Sequence, residues 1–221
     1  AGDYKPGADE RGGDEISRLS RALTHMAKAV GDHTHLLEAL VKERTARLEK
    51  LANHDSLTEL YNRRGFLEAV ERERNRAARS GERPGLLIID LDDLKKVNDS
   101  HGHKAGDIVL IEVGRRLSKV ARNYDVCGRW GGDEFVLLAA DCDSKSLRIV
   151  ADKILAAITS KAVGIGEGTT IPIAVSIGAC LTDPARPLDH FIPNADTALY
   201  EAKRDGRGRA VIFEELIPPT L

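Results

Sequence analysis

Three groups of side chains here have chemistry suited to a phosphorylated substrate: Asp90 with Asp92, the run Gly131-Gly132-Asp133-Glu134, and the cations Lys203 and Arg207. Carboxylates at a strand end beside a glycine turn are oxygen ligands for a hard cation such as Mg²⁺. That ion keeps several waters and binds jointly to one or two carboxylates and a nucleotide's phosphates. Each group alone has a plainer alternative. Solvated acidic loops account equally well for Asp90 or Asp133 taken singly. Lys203 and Arg207, one helical turn apart, would also complement the dipole at a helix C-terminus. Successive strand residues point to opposite faces, so Asp133 and Glu134 share a site only where a turn breaks the alternation, and Asp133 is the first choice of ligand.

These groups need elements to position them. The run from Gly85 to Asp90 reads as a buried strand ending in a carboxylate. A charged helix is expected over Arg63 to Arg79, ended by Gly81 and Pro84, and an amphipathic one from about Lys104 to Ala121. Strands Val126 to Arg129 and Phe135 to Ala140 flank Trp130-Gly131-Gly132-Asp133, where the two glycines supply the positive φ of a hairpin turn. Ser144 to Thr159 reads as a helix and Thr170 to Thr182 as a strand. Asp189 to Lys203 reads as a helix closed by Gly206, and a last strand falls around Ala210 to Phe213. Short apolar runs alternating with helical patterns indicate an α/β or α+β domain.

Upstream the texture differs. Residues 1–13 are rich in Gly, Asp and charge and read as a flexible leader. From Ile16 the apolar positions run through Leu19, Leu23, Met26, Val30, His33 in phase, Leu37 and Leu40, alternating steps of three and four. This is a heptad seam. After Leu40 the phase slips through Arg44 to Leu48 and Leu51, as in a stutter that locally unwinds a supercoil. A helix from about Glu15 to Leu51 is ~55 Å long at 1.5 Å per residue and calls for a partner helix, a parallel coiled coil being favoured over folding back on its own domain.

Composition sets the outer bounds. With 221 residues and 42% hydrophobic, the chain has material for a real core and is not wholly disordered. Lys+Arg 33 against Asp+Glu 35 leaves a formal charge of -2, so bulk charge recommends neither duplex nucleic acid nor an anionic membrane. Cys127, Cys142 and Cys180 are odd in number and widely spaced, which argues against a disulfide framework or a zinc site and for a reducing, cytoplasmic setting. The histidines His25, His33, His35, His101 and His103 form no metal triad by spacing. No apolar run approaches the roughly 20 residues of a membrane span; an inner-membrane anchor upstream of Ala1 stays open, with this part facing the cytoplasm.

The string Arg129-Trp130-Gly131-Gly132-Asp133-Glu134-Phe135 resembles the signature of the GGDEF family of diguanylate cyclases. Residues 54–66 (HDSLTELYNRRGF) are similar to the family's opening segment and residues 90–110 (DLDDLKKVNDSHGHKAGDIVL) to its substrate-binding stretch. Val175 to Gly178 and residues 195–209 (ADTALYEAKRDGRGR) resemble its remaining blocks, so the likeness spans roughly residues 53–215. Glu59 stands where glycine is usual and Leu94 where phenylalanine is common.

The resemblance implies an α+β, palm-like nucleotidyl-cyclase domain with a central, mostly antiparallel sheet flanked by helices. The expected organisation is a leader (1–13), a HAMP-like coiled-coil dimerisation helix (14–52), the GGDEF domain (53–215) and a tail (216–221). The implied reaction condenses two GTP into cyclic di-GMP and releases pyrophosphate, with Mg²⁺ or Mn²⁺ held by Asp90, the Leu91 carbonyl, Asp133 and Glu134. Carried over likewise, Asn98 and Asp107 read guanine, and Lys95, Lys203 and Arg207 neutralise the triphosphate, with Asp133, Glu134 and Lys95 the catalytic set. Without the likeness, Asn98 and Asp107 read as a turn residue and a helix cap.

Two features bear on regulation. One domain holds one GTP, so two must face each other, and the N-terminal helix would tether a homodimer beneath a membrane sensor outside this chain. Arg122-Asn123-Tyr124-Asp125 matches the family's R-x-x-D site for inhibition by product, the alternative being a surface Arg-Asp pair. A receptor for GTP or cyclic di-GMP that catalyses nothing, and a bare coiled-coil scaffold, are the rival readings.

Overall fold

The computed structural model describes residues 11–166 and 168–217. The chain divides into one unit ending at Lys50 and a second beginning at Leu51. The first consists of helix α1, Arg11–Asn53, whose last residues enter the second unit. As described it runs from Arg11, inside the expected leader, and includes Gly12 and Gly13 at the modest cost of two glycines in a helix. Residues 1–10 of the leader and 218–221 of the tail lie outside the described residues. The seam residues from Ile16 to Leu51 are 44% to 71% exposed, so α1 carries an apolar stripe that nothing in its own unit covers. No helix among the described residues is long and apolar enough to cross a membrane.

The second unit is built on a five-stranded sheet in the order β2-β3-β1-β6-β7. The strands are β1 (Gly85–Leu91), β2 (Val126–Gly131), β3 (Glu134–Ala139), β6 (Val175–Leu181) and β7 (Ala210–Ile212). All pairings are antiparallel except β6 with β7, giving the α+β, mainly antiparallel architecture. Central β1 is buried at every position, and its side chains alternate between two cores. Leu87, Ile89 and Leu91 pack with Val109, Val113, Leu147 and Ile154 of helices α4 (His103–Val120) and α5 (Ser144–Thr159). Leu86 and Ile88 pack with Phe66, Val70 and Leu199 of α2 (Arg63–Ser80) and α6 (Ile192–Arg204). By that parity, Asp90 belongs to the face that carries α2 and α6.

Several boundaries differ from the sequence reading. Short, polar α3 (Leu94–His101) precedes α4 and ends at Gly102, φ 80. The expected strand over Thr170 to Thr182 is broken at Pro172, which has no N–H for a ladder. Its first part is β5 (Thr169–Ile171), which pairs with β4 (Val163–Gly166) in a separate two-stranded sheet. The helix expected from Asp189 begins at Ile192, because Pro193 suits a first helical turn; Leu188–His190 form a single 3₁₀ turn before it. The chain closes on a short helix α7, Phe213–Leu216.

Candidate active site

Register brings the first carboxylates together. Asp90 is opposite Glu134 on β3 and opposite Ser176 on β6, so the three project side by side toward α6. Asp133 joins them because the hairpin turn breaks the alternation. Gly132 takes φ 48, and a register shift between Arg129 and Gly131 accompanies it. Gly131 remains in β2 without positive φ, so one glycine supplies the left-handed turn where two were expected. The Asp133 carbonyl accepts from the Leu91 N–H at 3.1 Å. In an extended strand the carbonyl of a residue lies on the same edge as its N–H, which puts the Leu91 oxygen on the Asp133 side.

The electrostatics follow from that crowding. Burial raises the Asp90 carboxyl above its ordinary value, Lys203 pulls it down, and Asp133 and Asp92 push it further up. Glu134 is raised by burial, then by Asp90 and Asp133. Convergent acids at this density draw in a cation, and the Lys203 ammonium lies 2.8 Å from Asp90 Oδ2. Among the described residues no three His, Cys, Asp or Glu side chains are grouped to hold a metal unaided. An all-oxygen, half-buried donor set of this kind fits a hard divalent ion that completes its coordination with substrate oxygens and water.

Beside this cluster, Asp92 accepts from Ser176 Oγ at 2.9 and 3.1 Å and from the Gly208 N–H at 3.2 Å. Arg207 Nε is 3.9 Å from Asp92 Oδ1. Asp92 was paired with Asp90 as a candidate carboxylate in the sequence, but its partner Ser176 and the approach of α6 were not assigned there. Gly178 permits that approach, since a Cβ there would meet the Ala195 carbonyl and the Leu199 nitrogen at 2.2 Å. Arg129 was also missed: its guanidinium donates to the Gly132 carbonyl at 2.6 and 3.1 Å and to the Asp55 carboxylate at 3.2 and 3.3 Å. Burial works to raise Asp55, but hydrogen bonds from Thr58 and Arg129 overcome it and hold the carboxyl below its ordinary value. Glu59, in the same segment, takes φ 60, the left-handed region that suits the glycine usual there.

The remaining sequence candidates lie elsewhere. At the corner between α3 and α4, Gly106, which precedes Asp107, leaves room for the Asn98 amide; a Cβ there would come within 2.0 Å of Asn98 Oδ1. That oxygen is buried without a hydrogen-bond partner, while Asp107 is exposed. Among the described residues no hydrogen bond or ion pair joins this corner to the carboxylates. Lys95 is exposed in the first turn of α3. Arg122 and Asp125 lie at the opposite end of β2 from the turn. The Asp125 carboxylate accepts from the backbone N–H groups of Arg122 at 2.8 Å and Ala140 at 3.0 Å, leaving the exposed Arg122 guanidinium unpaired with it.

A sheet with this strand order, carrying two aspartates and a glutamate at a glycine hairpin, defines a nucleotidyl-cyclase type of palm. The family model described as "Diguanylate cyclase, GGDEF domain" matches residues 52–209, and the chain belongs to that family. Diguanylate cyclase TpbB of Pseudomonas aeruginosa PAO1 is 35% identical over 215 residues, covering 96% of this chain and 48% of that protein. Probable diguanylate cyclase DgcE of Escherichia coli K12 is 37% identical over 169 residues, covering 76% of this chain and 15% of that protein. The chain thus spans about half, or less, of these relatives' length. Among solved structures, the coiled coil and GGDEF domain of DgcB from Caulobacter crescentus, in complex with c-di-GMP, superimposes with TM-score 0.76 at 27% identity, over 85% of this chain and 98% of that one. Diguanylate cyclase SiaD, in complex with its activator SiaC from Pseudomonas aeruginosa, gives TM-score 0.70 at 30% identity, over 92% of this chain and 77% of that one.

Proposed function

We propose that this chain condenses two molecules of GTP into cyclic di-GMP, each of two protomers binding one GTP. The convergence of Asp90, Asp133 and Glu134 beside Lys203 carries the reading. In each half-reaction the 3′-oxygen of one GTP forms a bond to the α-phosphorus of the other, the bond from that phosphorus to the β-phosphate bridge breaks, and pyrophosphate leaves. No protein nucleophile is needed, so catalysis consists of alignment and charge neutralisation. A bound Mg²⁺ or Mn²⁺ supplies Lewis acidity at the phosphates and lowers the pKa of the attacking hydroxyl. Asp90, the Leu91 carbonyl, Asp133 and Glu134 would hold it, and Glu134 would help remove the proton of the 3′-hydroxyl.

Lys203 and Arg207 face the phosphates, with Lys95 as the third cation. The unpartnered Asn98 oxygen is an acceptor for a guanine N–H, and Asp107 next to Gly106 offers a second acceptor to the ring N–H and amino group. Product returning to Arg122 would inhibit, its guanidinium reading the O6 and N7 edge of guanine while Asp125 shapes the turn beneath it. The apolar stripe of α1 supports dimerisation through the N-terminal helix, with an upstream sensor as the source of control. Neither the charge of the chain nor its site calls for nucleic acid as a partner.

Chromatography of the products formed from GTP and Mg²⁺ tests the reading. The wild-type chain is expected to yield cyclic di-GMP and pyrophosphate, and Asp133→Ala to yield neither while keeping its fold by circular dichroism. A wild-type chain that binds GTP with Mg²⁺ but forms no product would be a receptor instead.

A further inference from the structure

We infer that Asp92 is a positioning residue, held by Ser176, that fixes the turn after α6 so that Arg207 presents its guanidinium to the nucleotide's phosphates. The inference rests on the nucleotide reading above and adds residues that it does not use. Asp90 lies near the end of β1 and Asp92 in the turn just after it, and the two differ in their surroundings. Asp90 pairs with the terminal ammonium of a long lysine side chain, 2.8 Å away. The Asp92 side chain is only 4% exposed and its carboxylate is fastened by fixed donors. Ser176, itself fully buried, donates its hydroxyl to both carboxylate oxygens, and the Gly208 backbone N–H donates to one of them.

The turn that Asp92 grips does not hold itself together cheaply. Gly206, Arg207 and Gly208 all have positive φ, at 104, 62 and 61, and Arg207 is the member with a Cβ. A non-glycine residue in that region is strained and persists where the surroundings over-determine it. Two contacts do so here. The Arg207 N–H donates to the Ala202 carbonyl at 3.0 Å, closing the turn onto α6, and the Gly208 N–H donates to Asp92, closing it onto the turn after β1. The Arg207 guanidinium, 3.9 Å from Asp92 and more than half exposed, is left oriented but not consumed by the pair. Asp92 thus acts through Arg207, and a carboxylate next to the phosphate site is tolerated because its charge is already satisfied by a hydroxyl, an amide and that arginine.

The test measures affinity for α,β-methylene GTP with Mg²⁺, and for guanosine, in the wild-type chain and in Ser176→Ala, Asp92→Asn, Arg207→Ala and the double variant Ser176→Ala/Arg207→Ala. Asp92→Asn keeps an acceptor for Gly208 and so guards against simple misfolding. Ser176→Ala and Asp92→Asn are each expected to bind the triphosphate about tenfold more weakly, as loss of an orienting partner typically does. Guanosine binding should not change, and the double variant should bind no more weakly than Arg207→Ala, because both changes remove one device. Triphosphate affinity unchanged in Ser176→Ala and Asp92→Asn would overturn the inference, as would losses that add in the double variant or extend equally to guanosine. A wild-type chain with no affinity for the triphosphate would instead sink the nucleotide reading, and this one with it.

Discussion

Glu134 illustrates how a site opposes the fold that holds it. Its carboxyl is raised by burial and by the neighbouring Asp90 and Asp133, so the folded state disfavours its charge. For a carboxylate with raised folded pKa, the cost is fully present above that pKa and disappears as pH falls below the unfolded value. Glu134→Gln is therefore expected to raise the melting temperature at pH 8, by about 2–4 °C for each kcal/mol relieved, and to give little gain at pH 4. Differential scanning calorimetry at the two pH values checks this. The same variant should lose turnover, separating stability from activity. At the other end of β2, Arg122 has a guanidinium with no ion-pair partner among the described residues. Arg122→Ala should leave initial turnover intact and abolish the slowing of the reaction as product accumulates, followed as pyrophosphate release with and without added cyclic di-GMP. Asp125 is a poorer probe, since its carboxylate holds the backbone of the turn through Arg122 and Ala140.

Among the elements, α6 packs backbone-close on β6 beside the site. Lys203 reaches Asp90 only because α6 lies directly on β6 at Gly178, where a methyl group would meet helix backbone at 2.2 Å. Backbone cannot rotate aside as a side chain can. Gly178→Ala is expected to destabilise by about 3 kcal/mol, the upper part of the usual overpacking range, and to weaken GTP binding by displacing Lys203. Urea denaturation with a parallel binding titration measures both; unchanged stability would mean that α6 sits further from the sheet than described. The α5 helix shows a different device. Its last turn is closed by Arg116, which donates to the Ile158 carbonyl and, at 2.6 Å, to that of Lys161, with Glu112 as counter-charge at 2.8 Å. Hydrogen bonds from Arg115 and Arg116 hold the Glu112 carboxyl down at about 2, so what these contacts add to stability is fully present above the ordinary value of 4.5 and is lost progressively as pH falls from there toward 2.

For the whole molecule, the stripe on α1 matters most. An apolar seam about half or more exposed along a 43-residue helix is what supports the proposed pairing with a second copy of the chain. If the active unit is that dimer, Leu23→Glu with Leu37→Glu should give monomers by light scattering. At micromolar concentration their turnover per chain should fall on the order of a hundredfold, reflecting lost effective concentration, with GTP affinity unchanged. Turnover that is independent of protein concentration in this variant would argue against the tether.

The motifs by themselves determined the family, and the resemblance then implied the α+β class and the candidate ligands Asp90, Asp133 and Glu134; residue pattern alone left α/β or α+β open, while metal and phosphate chemistry admits few side chains and a hairpin glycine marks its own turn. The heptad seam was equally plain, since periodicity is a local property. What only the tertiary structure decided was which groups meet. The pairing of Asp90 with both Glu134 and Ser176 depends on strand order, and the grip of Asp92 on Gly208 joins positions 116 residues apart. The brace from Arg129 to Asp55 spans 74 residues. Short polar α3 and the β4–β5 hairpin escaped notice for a related reason: their few apolar residues carry no period, and they are ordered by what they pack against.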